Sequence, residues 1–271
     1  MTAQLPAKGR TPELLEALAT AELSIVGRLV EASNATLLCT LSYRGESIRC
    51  VYKPTLGERP LWDFHDGTLG RREVATAVIA EQLELEFVPP TVWREGGPAG
   101  AGMCQLWIEG ATGGTDVEVV TPDQIPGEWL VSVHGIDAQH REVVVVHADT
   151  QDLRRLALFD ILVNNADRKG GHILRDANAQ VFAVDHGVTF HVEDKLRTVL
   201  WGWADSALSP NELSLLAQLA QELGGEFGQS LGAWLRADEV AAVAQRVDRL
   251  LAAGKFPTPS GDWPAVPWPV F

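Results

Sequence analysis

Residues 162 to 187 read LVNNADRKGGHILRDANAQVFAVDHG and carry two aspartates, Asp167 and Asp185, eighteen positions apart across a hairpin-like link, each at the end of an apolar run. Two acids placed this way suit phosphoryl transfer. The first sits where an incoming hydroxyl is oriented and relieved of its proton, the second where a divalent cation bridges nucleotide phosphates. Asp-Arg and Asp-His-Gly are also ordinary turn chemistry, because Asp and Gly favour turns for backbone reasons. The rest of the chain decides between the two.

Upstream, Lys53 ends the β-rich run VYKP, and Glu73 follows twenty positions later at the opening of a helical pattern. A lysine aimed at phosphates needs a carboxylate that holds it extended, and a strand lysine with a glutamate on the next helix supplies both. Taken singly, each residue reads as a surface charge. The information lies in the pair and its order.

Local chemistry sets the elements around these residues. Thr11, Pro12 and Glu13 supply a capping hydroxyl and a residue pre-set for the first turn, which predicts a helix over 12–22 with Leu14, Leu15 and Leu18 buried. Three β-rich runs between Ser24 and Pro54, broken by SNA and RGE, predict three antiparallel strands. A helix is expected over 68–85, apolar on most sides through Val74, Ala75, Val78 and Ile79. Strand-like segments follow at FVPPTVWR and GMCQLWIE. Residues 110–148 mix Gly- and Pro-rich pieces with the valine run Val143 to Val146 and receive no assignment.

Residues 151–165 again read as helix, through Leu153, Leu156, Ala157 and Ile161. Ser209, Pro210 and Glu212 form a capping box, and Gly254 closes the helix DEVAAVAQRVDRLLAAG. The final FPTPSGDWPAVPWPVF holds too many prolines for regular helix or central strand. It is expected to lie extended with its tryptophans on the helical part of the chain; a partner-binding segment is the alternative.

Bulk properties exclude some partners. The 36 acidic against 22 basic residues give a net charge of -14, which disfavours nucleic acid, whose phosphates call for clustered Lys and Arg. No apolar run approaches the roughly 20 residues that span a bilayer, and MTAQLPAKGR lacks the apolar segment of a secretory signal. A cytoplasmic protein with no stable membrane anchor is expected. Cys39, Cys50 and Cys104 show none of the spacing of a zinc or redox motif and read as small buried residues.

In sequence, VYKPTLGERPLW, RREVATAVIAEQLELEFVPPT, GMCQLWIEG, LFDILVNNADRKGGHIL and VFAVDHGVTF resemble the successive blocks of the phosphatidylinositol 3-/4-kinase superfamily, closest to the type II phosphatidylinositol 4-kinases. The similarity covers roughly residues 50 to 210, and the chain also resembles an actinobacterial kinase-like branch with the same core. The resemblance implies an α+β, bilobal protein-kinase-like fold: a first lobe over 1–108 and a mainly helical second lobe over 109–271, with ATP bound in the cleft between them. It implies that Lys53 contacts the phosphates, that Glu73 braces it, and that Gln105, Leu106, Trp107 and Ile108 form a hinge whose backbone reads adenine. Asp167 becomes the catalytic-loop acid and Asp185 the metal ligand, with Mg²⁺ or Mn²⁺ as the cation. Asp160, an acid inside an apolar run, would hold the catalytic loop, since a buried carboxylate must find donors.

Three departures accompany the likeness. His172 stands where the family carries a metal-binding asparagine, five positions after Asp167. Imidazole suits manganese better than magnesium, so a shifted metal preference, a histidine acting as acid, base or phosphate donor, and a degenerate site all remain open. Retained catalysis is favoured because Lys53, Glu73, Asp167 and Asp185 are all present. The nucleotide-covering loop would be residues 31–38, which lack glycine; either Ser33, Asn34 and Thr36 offer donors to phosphate instead, or the segment is a plain hairpin turn. Nothing resembles the cysteine-rich palmitoylated segment of the type II lipid kinases, and the stretch GVTFHVEDKLRTVLWGWA after Asp185 has just Lys195 and Arg197 to meet an inositol phosphate, which with the acidic chain argues against a lipid acceptor.

The sequence therefore predicts an ATP-dependent kinase acting on a hydroxyl of a protein or small soluble metabolite. A nucleotide-binding pseudokinase that docks a partner, a phosphoinositide kinase and an AMP-transferring enzyme of the same fold are the alternatives.

Overall fold

Successive strand side chains face opposite sides of a sheet, and that alternation sets the first part of the fold. The computed structural model describes residues 10–29, 34–65, 67–109, 111–113 and 116–271. They fall into two units, one running to residue 110 and including Asp185–Gly187, the other made of Ala111–Val184 and Val188–Phe271. In the first, helix α1 (Pro12–Thr20) is capped by Thr11, whose hydroxyl accepts from the Leu14 N–H at 3.2 Å. Strands β1 (Ser24–Arg28), β2 (Leu37–Tyr43) and β3 (Glu46–Pro54) precede helix α2 (Leu69–Gln82), and β4 (Thr91–Arg94) and β5 (Gly102–Leu106) follow it. The five strands form an antiparallel sheet in the order β1-β2-β3-β5-β4.

Cys39, Leu41, Tyr43, Ile48, Cys50, Tyr52 and Cys104 join one apolar core with Leu14 and Leu18 of α1. The three cysteines, dispersed in sequence, thus meet inside one core and are fully buried. One position along β3, Lys53 pairs across the sheet with Met103 and belongs to the opposite face. There Gly70 of α2 rests against Met103 and Trp93. The first turn of α2 is capped by Glu58, whose carboxylate accepts from the Leu69 and Gly70 N–H groups at 3.1 and 2.8 Å. The helix stops at Gln82, short of the expected Leu85, because Glu84 turns left-handed at φ 53°. Of the expected nucleotide-covering loop, residues 31–33, including Ser33, lie outside the described residues. Asn34 accepts from the Arg59 N–H at 2.8 Å, and the Thr36 carbonyl accepts from Leu29 at 2.9 Å.

The second unit begins with β6 (Thr112–Gly113), then β7 (Val117–Val120), β8 (Leu130–Ile136) and β9 (Glu142–His147), followed by α3 (Gln151–Leu162), β10 (Ile173–Arg175) and β11 (Val181–Ala183). The valine run that gave no assignment is the central strand of a sheet ordered β7-β9-β8, and β11-β10-β6 form a second small sheet. Helices α4 (Pro210–Leu223), α5 (Glu226–Ser230) and α6 (Ala237–Ala253) complete the unit. Ser209 and Glu212 close a capping box on α4, and Gly254 ends α6 at φ 64°.

The extended tail is held by its backbone. The Ala265 carbonyl accepts from the Trp201 indole at 2.7 Å, and the Val270 carbonyl from the Gly170 N–H at 2.9 Å. Trp263 lies under the Lys195 ammonium, 4.5 Å from ring centre, whereas Trp268 is 86% exposed. Among the described residues, no helix is long and apolar enough to cross a membrane.

Candidate active site

In the first unit, β3 delivers Lys53 and α2 delivers Glu73 to the same point. The Lys53 ammonium donates to Glu73 Oε1 at 2.6 Å and to Asp185 Oδ1 at 2.9 Å. Glu73 is 2% exposed, Lys53 18% and Asp185 48%, so the brace is buried and the second acid faces outward. Burial works to lower the Lys53 pKa, but the charges of Asp185 and Glu73 outweigh it and hold the ammonium protonated above the ordinary lysine value. Asp185 adopts φ 60°, left-handed backbone that Asp and Asn tolerate better than other side chains. His186 after it is buried, and Gly187 lies against Leu69 and Glu73 of α2.

Asp167 belongs to the second unit, in the loop after α3. That loop is built around Asp160, which is fully buried and accepts from the Asn165 amide at 3.0 Å, from Arg168 Nε and an Arg168 terminal nitrogen at 3.0 Å each, and from the Thr198 hydroxyl at 3.4 Å. Arg168, equally buried, also donates to the Val184 carbonyl at 2.9 Å. Asn165 turns its side-chain oxygen to the Asp167 N–H at 3.0 Å. The backbone is clamped on both sides, Ala166 donating to Val188 and Arg168 to Arg197. Asp167 itself is 31% exposed, with the Lys169 ammonium 3.4 Å from its carboxylate.

Sequence reasoning named Asp160 and missed Arg168, Asn165, Thr198 and Lys169. Arg168 reads as a loop charge beside Asp167; the signal that could have found it is Asp160, since a carboxylate in an apolar helix demands a buried donor nearby.

The expected hinge is the end of β5 and the residues after it. Gln105 is buried, with its amide donating to the Thr91 hydroxyl at 2.8 Å. The N–H groups of Leu106 and Trp107 donate to the Pro90 and Arg49 carbonyls at 2.9 and 3.1 Å. Arg49 stacks over the Trp107 ring, 5.7 Å from its centre, and pairs with Glu109. Those two backbone donors are committed within the protein.

His172 ends a short 3₁₀ turn, Gly170–His172, and its carbonyl accepts from the Val184 N–H at 3.0 Å. Among the described residues, no three His, Cys, Asp or Glu side chains cluster as a self-contained metal site. A nucleotide-bound cation takes most of its ligands from phosphate and water. The half-exposed Asp185 carboxylate fits that donor set.

No family model matches the chain. Protein Rv2133c of Mycobacterium tuberculosis is 46% identical to it over 268 residues, covering 94% of each chain. Among solved structures, the Golgi casein kinase with Mn/ADP bound matches with a TM-score of 0.55 at 14% identity, over 91% of this chain and 79% of that one. The structure of hydra Fam20 with sugar matches with a TM-score of 0.50 at 12% identity, over 89% and 86%. At such identities the likeness is one of fold, mixed α and β elements in an atypical-kinase-like arrangement. The phosphatidylinositol 3-/4-kinase type is a finer distinction than that likeness draws.

Proposed function

We propose that the chain, which belongs to the same family as Protein Rv2133c of Mycobacterium tuberculosis, is an ATP-dependent phosphotransferase moving the γ-phosphoryl group to a hydroxyl of a protein or small metabolite. The observation that carries this reading is the Lys53 ammonium held between Glu73 at 2.6 Å and Asp185 at 2.9 Å, on a fold shared with a kinase solved with Mn/ADP. Lys53 supplies a positive charge for nucleotide phosphates, and Glu73 fixes its direction. Asp167 orients the acceptor hydroxyl and takes its proton as the acceptor oxygen bonds to the γ-phosphorus and the bond to the β-phosphate oxygen breaks, releasing ADP. Lys169, beside Asp167, offsets negative charge on the transferred group.

Asp185, with His172, would hold Mg²⁺ or Mn²⁺, which when bound would neutralise phosphate charge. The order of motifs from VYKP to VDHG supports the phosphatidylinositol 3-/4-kinase type as the nearest branch, while the net charge of -14 favours a protein or metabolite acceptor over a lipid.

The test pairs binding with turnover. ATP with Mg²⁺ or Mn²⁺ is expected to raise the melting temperature, and label from the γ-phosphate to appear on the acceptor. Asp167→Asn and Asp185→Asn are expected to lower the rate by about 10²-fold or more without unfolding the protein. No nucleotide effect with either metal would defeat the proposal, and label from the α-phosphate on the acceptor would replace it by AMP transfer. His172 favours one second reading, a pseudokinase; it predicts ATP-stabilised melting with no transfer of either label.

A further inference from the structure

The second unit contains a cavity of about 400 Å³ that none of the residues assigned above to phosphoryl transfer lines. Its walls come from the end of α3, the C-terminal half of α6 and the segment after Gly254, and its apolar surface includes Ile161, Leu196, Trp201, Leu250 and Phe256. Five charged groups share it. Arg249 pairs with Asp194 at 2.8 Å and Lys255 with Asp205, four side chains all more than half exposed. Arg246 is different: it is 4% exposed and, among the described residues, no carboxylate pairs with it.

Arg246 donates from Nε to the Leu162 carbonyl at 3.1 Å and from one terminal nitrogen to the His191 carbonyl at 3.2 Å; its other terminal nitrogen is buried with no hydrogen-bond partner. Burial lowers its pKa to about 10, against the opposing pull of Asp194. A buried cation left partly unsatisfied is costly, and structures normally retain one only where an anion or a network answers it. The pairing of the other four charges leaves a formal excess of one positive charge at the cavity wall.

We propose that this cavity binds a small amphipathic carboxylate, an aryl or alkyl acid whose apolar body fills the space beside Trp201, Leu250 and Phe256 and whose anionic end answers Arg246. The volume lies within the usual range for small-molecule sites, roughly 300–1,000 Å³, and the mixture of apolar walls with few charged groups is typical of them. The site adjoins the catalytic-loop side of α3. Asn164, another lining residue, uses its side chain to hold the His191 and Glu193 carbonyls and the Lys195 N–H.

Titration of the ¹⁵N-labelled full chain with phenylacetate, 3-phenylpropionate, indole-3-acetate and octanoate, each beside its neutral amide, tests the proposal. At least one acid is expected to shift the Trp201 indole resonance saturably, with its amide at least tenfold weaker, about 1.4 kcal/mol. Arg246→Met is expected to remove that preference for the acid. Should that variant fail to fold, Ala253→Trp, an exposed substitution at the cavity rim, is expected to block binding with the fold intact. Absence of saturable shifts for all four acids, equal binding of acids and amides, or unchanged binding in Ala253→Trp would overturn it. The readout involves no nucleotide, so its failure is separable from failure of the phosphotransferase reading.

Discussion

Replacing Asp160 by alanine removes the acceptor shared by Asn165, Arg168 and Thr198. Both members of the Asp160–Arg168 pair are 0% exposed, so the truncation takes from a buried guanidinium the carboxylate that receives three of its hydrogen bonds. Breaking a buried pair from one side costs about 3–5 kcal/mol, and the Asn165 amide loses its acceptor as well. We take about 4 kcal/mol as the expected loss, a fall in melting temperature of about 8 to 16 °C at about 2–4 °C per kcal/mol for a chain of this size. Urea denaturation followed by tryptophan fluorescence measures it.

The double variant Asp160→Leu/Arg168→Met removes both charges at once and is expected to regain at least half of the loss, because an apolar pair can replace a buried ion pair at little cost. A loss below about 1 kcal/mol in Asp160→Ala would refute the reasoning. A double variant as unstable as the single one would also refute it. Because Asn165 carries the Asp167 N–H, transfer activity is expected to fall with stability.

Other outcomes follow from single observations. Lys169→Ala is expected to slow phosphoryl transfer by about 10²-fold with little change in urea midpoint, because its ammonium pairs with the partly exposed Asp167; an unchanged rate would remove Lys169 from the site. His147 is buried, accepts the Gly202 N–H at Nε2 and sets Nδ1 toward the Ala148 carbonyl, and burial lowers its pKa. The folded protein therefore resists a proton that the unfolded chain accepts below pH about 6.5, so stability should fall as pH drops from there; His147→Gln should flatten that dependence, and an equal slope in the variant would exclude His147 as its source. Cys39, Cys50 and Cys104 are all fully buried, and burial pushes the Cys39 thiol up to about 11. The native protein should leave a thiol reagent unreacted and the unfolded chain should consume three equivalents; prompt native reaction would contradict the core packing.

What the sequence made legible was local or ordered along the chain. Thr11-Pro12 and the Ser209–Glu212 box announce helix starts because each cap is satisfied within three residues. Lys53 and Glu73, read as a pair from their order, lie 2.6 Å apart. The sheet of β7, β8 and β9 stayed hidden because its alternation is interrupted by Gly and Pro turns, and the valine run, buried along most of its length, shows no period of two. Long-range polar partners were hidden for another reason. Glu58 caps α2 from eleven residues upstream and Arg246 reaches the end of α3 from 84 residues away, and neither distance leaves a pattern in composition.

The handedness of the Asp185 backbone determines which substitutions there can be interpreted. Alanine or valine at a residue fixed at φ 60° pays about 1–2 kcal/mol for conformation alone, so a dead alanine variant would mix a distorted peptide with a missing charge. Asparagine accepts the same torsion with nearly the same shape. Any difference it produces can therefore be charged to the lost negative charge, and glycine at the same place would report how much the turn itself matters.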